Sequence, residues 1–490
     1  MARFELLLPM ILYLAVVYGL AVYSSRVVAK LKVGFVEEYF LGSRTMGGFV
    51  LAMTLVATYT SASSFVGGPG VAYNVGLGWV LLAMVQVPVA YFTLGVLGKK
   101  FAIVARKIKA VTVTDFLRAR YESPAVVIIA SLGVIIFLVA AMVAQFIGGA
   151  RVFEAVTGFP YELGLIVFAV TVIIYTTVGG FRAVVLTDAV QGVVMTFGTA
   201  AILWGIIHFG GGMSSIVAQI KAVDPALLTP FGPNNAVAKP FVLSFWILVG
   251  FATVGLPYTA VRCMGYRDSR SMHQAIVIGT FIVGFLMLGM HLSGALSRAI
   301  DPNIKGADIV IPTITIKVLP PLLAGIFLAG PLAAIMSTID SQLILASSAI
   351  VKDIYLNYVN PGAIGNLEGE RKLRRLSFLT TAIIGIIVFA VSFKPPSIIV
   401  WINLFALGGL ESVFLWPIIL GLYWKRANAA GALASMVVGL ISFLLLSNYV
   451  GKLWGMHVIV PALFLAFVVF VIVAFLTPPP SQETISKFWE

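Results

Sequence analysis

Leu55 to Gly70 reads LVATYTSASSFVGGPG, a hydroxyl-rich stretch inside an apolar run long enough to cross a membrane. Thr58, Tyr59, Thr60, Ser61, Ser63 and Ser64 supply oxygens, and Gly67, Gly68, Pro69 and Gly70 make a helix there easy to break. In hydrocarbon, each unsatisfied backbone group costs several kcal/mol. Irregular backbone is tolerated at that depth only where it lines a cavity, and its freed carbonyls and amides can then hold an ion or a solute. A second break is expected in LVGFATVGLP, with Gly250, Gly255 and Pro257. Four ionisable side chains also fall inside apolar runs: Asp188, His291, Asp340 and Glu411. Such residues are expensive in a bilayer and mark ion or solute paths by default. Each has a plainer reading. Asp188 can be an N-cap, Asp340 the ion-pair partner of an arginine such as Arg262, Glu411 a partner for free backbone near Gly408 and Gly409, and His291 a packing residue.

Catalysis has little support. His208, His273, His291 and His457 lie in separate segments without metal-ligand spacing. There is no H-E-x-x-H, G-x-S-x-G or P-loop. The single cysteine, Cys263, excludes an internal disulfide and a cysteine-based metal site.

The elements that must position these residues are membrane helices. The chain has 490 residues, 60% hydrophobic and 10% charged. Apolar segments of about 20 residues recur from end to end, each long enough to span the hydrocarbon core. We place thirteen spans, near 6–25, 47–67, 78–97, 124–148, 161–178, 187–209, 241–260, 275–297, 321–348, 378–393, 398–423, 429–448 and 457–476. The first is too long for a signal peptide's apolar core and lacks a small-residue cleavage site. The loop after span 1 carries Arg26, Lys30, Lys32 and Arg44, and those after spans 3, 7 and 9 are also basic, whereas alternate loops are poor in basic residues, with none in 68–77, only Arg151 in 149–160 and only Lys394 after span 10. The positive-inside rule then places the N-terminus outside and the C-terminus in the cytoplasm. The net charge of +13 is explained by these loops, without a nucleic-acid partner. The longest outer loop, 210–240, has room for a short surface helix around Met213 to Val223 but not for a binding domain. The two breaks fall in spans 2 and 7, five spans apart and entered from opposite sides. Broken helices at matching positions of two inverted halves point to a transporter binding site.

Several stretches carry a specific likeness. EYFLGSRTMGG, TLVATYTSASSFVGGPGVAYNVGLGW, GGFRAVVLTDAVQG and GPLAAIMSTIDSQLILASSAIVKD resemble the sodium/solute symporter family, and the resemblance runs through essentially all thirteen spans. It implies a single all-α transmembrane domain over residues 1–490 of the LeuT type. Spans 2–6 (about 47–209) would form a first five-helix repeat and spans 7–11 (about 241–423) its inverted copy, with spans 1, 12 and 13 peripheral. It also implies a sodium site joining the span 2 break to span 9. Its carbonyls map onto Ala57, Thr60 and Ala334, and its hydroxyls onto Ser337 and Thr338. Spacing permits this, because residues i, i+3 and i+4 share one helix face. The ligands are all oxygens, which suits a hard cation. Proline-carrying relatives have an aspartate where this chain has Tyr59, so that acid's role does not carry over. The family's aspartate at the start of span 6 matches Asp188.

YFLGSR, ASSFVGGPG, QFIGGAR, VLPP, KPPSIIVWINL and GGLESVFLWPIILGLYW resemble the pantothenate-carrying members of that family, and this resemblance implies pantothenate as the solute, imported with sodium across a bacterial inner membrane. Pantothenate is a carboxylate with hydroxyl and amide groups, and a helix break offers free amides to a carboxylate. The candidate contacts are Ser63, Ser64, Gln145, Trp246, Trp401 and Asn403, and Asp188 and Asp340 are candidates for the ion path or gating. Competing readings are a symporter for an amino acid or a monocarboxylate, a membrane solute sensor, and a channel. The short C-terminal segment argues against the sensor, and two inverted broken helices suit alternating access better than a channel.

Overall fold

The computed structural model describes residues 2–28, 46–363 and 367–489. Lys30, Lys32, Arg44 and the YFLGSR stretch lie outside the described residues.

Apolar runs without internal breakers become long helices, and glycine, proline and capping residues end them. The helices are α1 (Ala2–Val28), α2 (Gly48–Tyr59), α3 (Ser63–Val75), α4 (Leu77–Lys107), α5 (Val113–Tyr121), α6 (Pro124–Thr157), α7 (Tyr161–Phe209), α8 (Met213–Val223), α9 (Lys239–Gly255), α10 (Pro257–Met264), α11 (Ser269–Ile300), α12 (Val310–Val318), α13 (Pro321–Val359), α14 (Leu367–Ser392), α15 (Ile399–Tyr423), α16 (Ala429–Tyr449), α17 (Ile459–Leu476) and α18 (Gln482–Trp489). Pro124, Pro257 and Pro321 occupy first turns, where a missing N–H costs nothing. Asp268 caps α11 through Ser271 N at 2.8 Å, and Asn428 caps α16 through Gly431 N at 2.9 Å. Gly158, in the left-handed region at φ 70, closes α6. The one strand pair among the described residues is a hairpin of Lys452–Leu453 with Met456–His457.

Among the described residues, nine helices are long and apolar enough to cross a membrane, or eleven if each of two bent pairs is one span. The bends fall where glycine and proline interrupt the apolar run: α2 and α3 meet at 70°, and α9 and α10 at 48°. Shorter apolar helices at Phe4–Leu20, Tyr161–Ile174 and Met213–Val223 accompany them. One expectation is corrected. The stretches read as spans 5 and 6 lie in one helix, α7, so Asp188 is a mid-helix residue and not an N-cap.

The centre is built on α7 and α13, which pack along each other, with α6 and α1 against them. α2 lies between α7 and α11, α15 runs along α6, and α16 and α17 pair outside this core. Small residues let the broken strands of helix approach their neighbours. A Cβ on Gly70 would stand 2.0 Å from the carbonyl oxygen of Ala307, so α3 can dock there only as glycine.

Candidate functional site

The break between α2 and α3 leaves polar backbone that must be satisfied inside the protein. Thr60 is extended (φ −74, ψ 139) and ends α2. Its N–H still closes on Val56 O at 2.9 Å, but the next carbonyls leave the helical ladder. Ser337 Oγ donates to Ala57 O at 2.7 Å, and Thr338 Oγ1 donates to Thr60 O at 2.7 Å. The same two hydroxyls lie 3.0 and 2.9 Å from Ala334 O on their own helix, α13. Thus three carbonyls from Ala57, Thr60 and Ala334 and two hydroxyls from Ser337 and Thr338 meet in one buried knot of five oxygens. Oxygen-only surroundings of this kind suit a hard cation. Below the knot, Ala62 N donates to Gln145 Oε1 at 2.7 Å, which pins the break to α6.

The α9–α10 break is tied to the first by Tyr59, whose hydroxyl lies 2.9 Å from Val249 O and 3.0 Å from Gln86 Oε1. Between the two breaks lies a cavity. Ser61, Ser63, Ser64 and Gly68 of the first break line one wall. Trp79 and Gln86 of α4, Phe245 and Val249 of α9, and Val400, Asn403, Leu404 and Leu407 of α15 line others. Thr338 belongs both to this wall and to the oxygen knot. The mixture of aromatic walls with a few polar groups is that of a small-molecule site. At one edge Asp308 accepts from Ile399 N at 3.3 Å, and burial pushes its carboxyl up to about 6.

The sodium:solute symporter family matches residues 39–439. This chain belongs to that family. Curated sodium/pantothenate symporters of Escherichia coli (strain K12) and Haemophilus influenzae are each 52% identical to it. The first alignment covers 96% of both chains and the second 95% of both. The osmoregulated proline transporter OpuE of Bacillus subtilis is 30% identical over 92% of both chains. A solved Na+-coupled sialic acid symporter in a substrate-bound outward-open state superposes with a TM-score of 0.79 at 20% identity. That superposition covers 98% of this chain and 99% of that one. The molecule is therefore a helical membrane transporter with a LeuT-like fold, and not an enzyme.

The symporter's remaining candidate residues divide clearly. Ser63, Ser64 and Asn403 line the cavity. Gln145 does not; it stands behind the break as the partner of Ala62 N, with its Nε2 3.5 Å from Asn403 Oδ1. Trp246 is not brought to the cavity: it is 46% exposed on the outer side of α9. Phe245 and Val249, four residues apart, take the cavity face, which turns the residue after Phe245 away. Trp401 lies behind the wall, edge-on to Trp79 at 5.9 Å, and is 39% exposed. The sequence reading missed Gln86, Tyr258, His291 and Gln342 as lining residues. His291, read as marking an ion or solute path by default and more plainly as packing, has its Nδ1 2.8 Å from Met287 O and its ring at the cavity wall. Gln342 had a usable signal, since it follows Thr338 by four residues on α13.

A smaller cavity lies beyond, lined by Thr112, Tyr258, Arg262, Ser341 and Ser348, among others; Tyr258 borders both cavities. There Arg262 of α10 pairs with Asp188 of α7 at 3.2 Å, both fully buried. Thr54 Oγ1 donates to the same carboxylate at 2.5 Å, and Arg262 Nη2 donates to Ser341 Oγ. This network joins α2, α7, α10 and α13. Asp340 accepts from Thr176 Oγ1 at 2.7 Å.

Proposed function

We propose that this symporter imports pantothenate together with sodium across a bacterial inner membrane by alternating access. The observation that carries the coupling is the knot of five oxygens. Ala57, Thr60, Ala334, Ser337 and Thr338 would hold the sodium ion, each hydroxyl turning its proton away so that its oxygen faces the cation. No carboxylate is among these ligands, so the ion can leave again. Ligands from α2 and α13 both belong to the site, so filling it draws the broken helix onto α13 and shapes the adjoining cavity. Sodium thereby prepares the pocket that the solute enters.

The identity of the solute is supported by the sodium/pantothenate symporters that share half of this sequence. It is also supported by the cavity's chemistry. Ser63 and Ser64 and the amides of the break suit a carboxylate, and Gln342 and Asn403 suit hydroxyl and amide groups. Twelve of the thirteen spans are supported by the nine long helices, the two bent pairs and the shorter apolar helix at Phe4–Leu20, while the stretch read as span 5 shares α7 with span 6. We read spans 2–6 and 7–11 as inverted repeats, with the N-terminus outside. In that frame the larger cavity faces outward and the Asp188–Arg262 network closes the inner end. Asp340 then stands on the inner side of the sodium ligands as a stepping point for the leaving ion.

Uptake of labelled pantothenate into proteoliposomes tests the proposal. An inward sodium gradient is expected to drive accumulation, and replacing sodium by choline at fixed pH to abolish it. Uptake indifferent to sodium would overturn the coupling. Sodium-driven uptake of an amino acid or a monocarboxylate, with pantothenate neither carried nor competing, would overturn the solute.

A further inference from the structure

Glu411 lies on α15, the helix that supplies Val400, Asn403, Leu404 and Leu407 to the cavity wall. These positions recur at three and four residues, and Glu411 continues the same stripe four residues on, about 6 Å beyond Leu407. It is fully buried, and neither carboxyl oxygen has a hydrogen-bond partner among the described residues. The flanking glycines do not serve it. A Cβ on Gly409 would stand 2.1 Å from the ring of Phe137, and one on Gly408 2.6 Å from Phe443. Those glycines make room for aromatic rings, and the helix runs unbroken past them. The titratable groups within electrostatic reach are Tyr59, on α2, and Tyr258, on α10; Arg262 is engaged with Asp188.

A bare carboxylate cannot persist in such a place without a cation, because burying an isolated charge is far more costly than neutralising it. A metal ion needs several oxygens around it. The neighbours of Glu411 on its own helix are Leu407, Leu410, Phe414 and Leu415, and the hydroxyl of Ser412 is bonded to Gly409 O. A proton needs no shell. We propose that Glu411 is a proton-binding site at the deep end of the cavity wall, loaded when the cavity closes over it and unloaded when water reaches it. The event is a plain proton exchange with water, with no other bond made or broken. The transport cycle then takes up a proton at occlusion and is slowed when protons are scarce.

Infrared spectroscopy of the purified full chain at about pH 8 reads this directly, because a carboxylic acid absorbs apart from a carboxylate. A protonated-acid band is expected in the wild type and is lost in Glu411→Gln. Its absence from the wild type, or its persistence in the variant, overturns the proposal. This measurement needs no solute, so it stands apart from the assignment of pantothenate, on which only the functional readout rests. In proteoliposomes with a fixed sodium gradient, wild-type pantothenate uptake is expected to fall above neutral pH, by up to about tenfold per unit beyond the midpoint. Uptake by Glu411→Gln, whose amide mimics the protonated acid, is expected to stay flat over the same range. Superimposable profiles defeat the idea; sodium-independent uptake at every pH strikes the ion assignment instead.

Discussion

Ser337 and Thr338 each do two jobs with one oxygen. Each bonds a carbonyl released by the broken helix and each reaches Ala334 O on its own helix. Replacing both by alanine keeps α13 helical, since alanine is the best helix former. Loss of two oxygens from a charged ligand is expected to cost about 1.5 kcal/mol or more each, so half-maximal activation should need at least about a hundredfold more sodium. An unchanged sodium curve in the double variant, with normal membrane abundance, would move the ion elsewhere. Asp340→Asn keeps an acceptor for Thr176 while removing the charge. The expected result is near-normal pantothenate binding with a lower maximal rate, seen by comparing equilibrium binding with uptake. Wild-type maximal uptake would remove Asp340 from the ion path. The Asp188–Arg262 pair behaves differently, because removing one member strands a buried charge at a cost of about 3–5 kcal/mol.

At the level of elements, the break between α2 and α3 depends on a helix that is itself intact. Gln145 of α6 supplies the acceptor for Ala62 N. In Gln145→Leu that buried N–H loses its partner, at a cost of about 1–3 kcal/mol. Lower thermal stability is expected together with weaker activation by sodium, because the same segment carries Ala57 and Thr60. A variant that melts earlier but responds normally to sodium would separate the clamp from the ion. The two breaks were legible in the sequence because glycine and proline inside apolar runs have few other uses. Ala334, Ser337 and Thr338 were proposed from the family resemblance, and their spacing on one helix face only permits that assignment. Trp246 was misplaced because its neighbours Phe245 and Val249 hold the cavity face of a helix that becomes irregular at that residue. Gln86, Tyr258 and His291 were missed for another reason. Each is one polar residue in an apolar helix, and which face meets the cavity is decided by packing between elements far apart in the chain.

On the scale of the whole molecule, Asp308 connects the outer cavity edge to the medium's acidity. Its carboxyl has an ordinary value of 3.8 and is raised to about 6 by burial. The folded state therefore holds a proton that the unfolded chain has lost between those two values. Stability contributed by this group is present at low pH and declines as pH rises through that window. Asp308→Asn mimics the protonated form and retains an acceptor for Ile399 N. It is expected to melt higher than wild type at neutral pH, with the gain vanishing below about pH 4. A constant difference across that range would show that the titration is not felt. Cys263 offers a different handle on the whole molecule. It is the only thiol in the chain, completely buried on α10, with its sulfur 3.6 Å from Thr93 O on α4. Movement of α10 away from α4 is the displacement that an inward opening requires if the inner end is closed as described. The protein thus carries a native chemical clock for that movement. A membrane-permeant maleimide should label it slowly in sodium with pantothenate outside and faster once the inner face opens, against no background from any other cysteine. Equal labelling rates in both conditions would mean that α10 stays docked against α4 throughout transport.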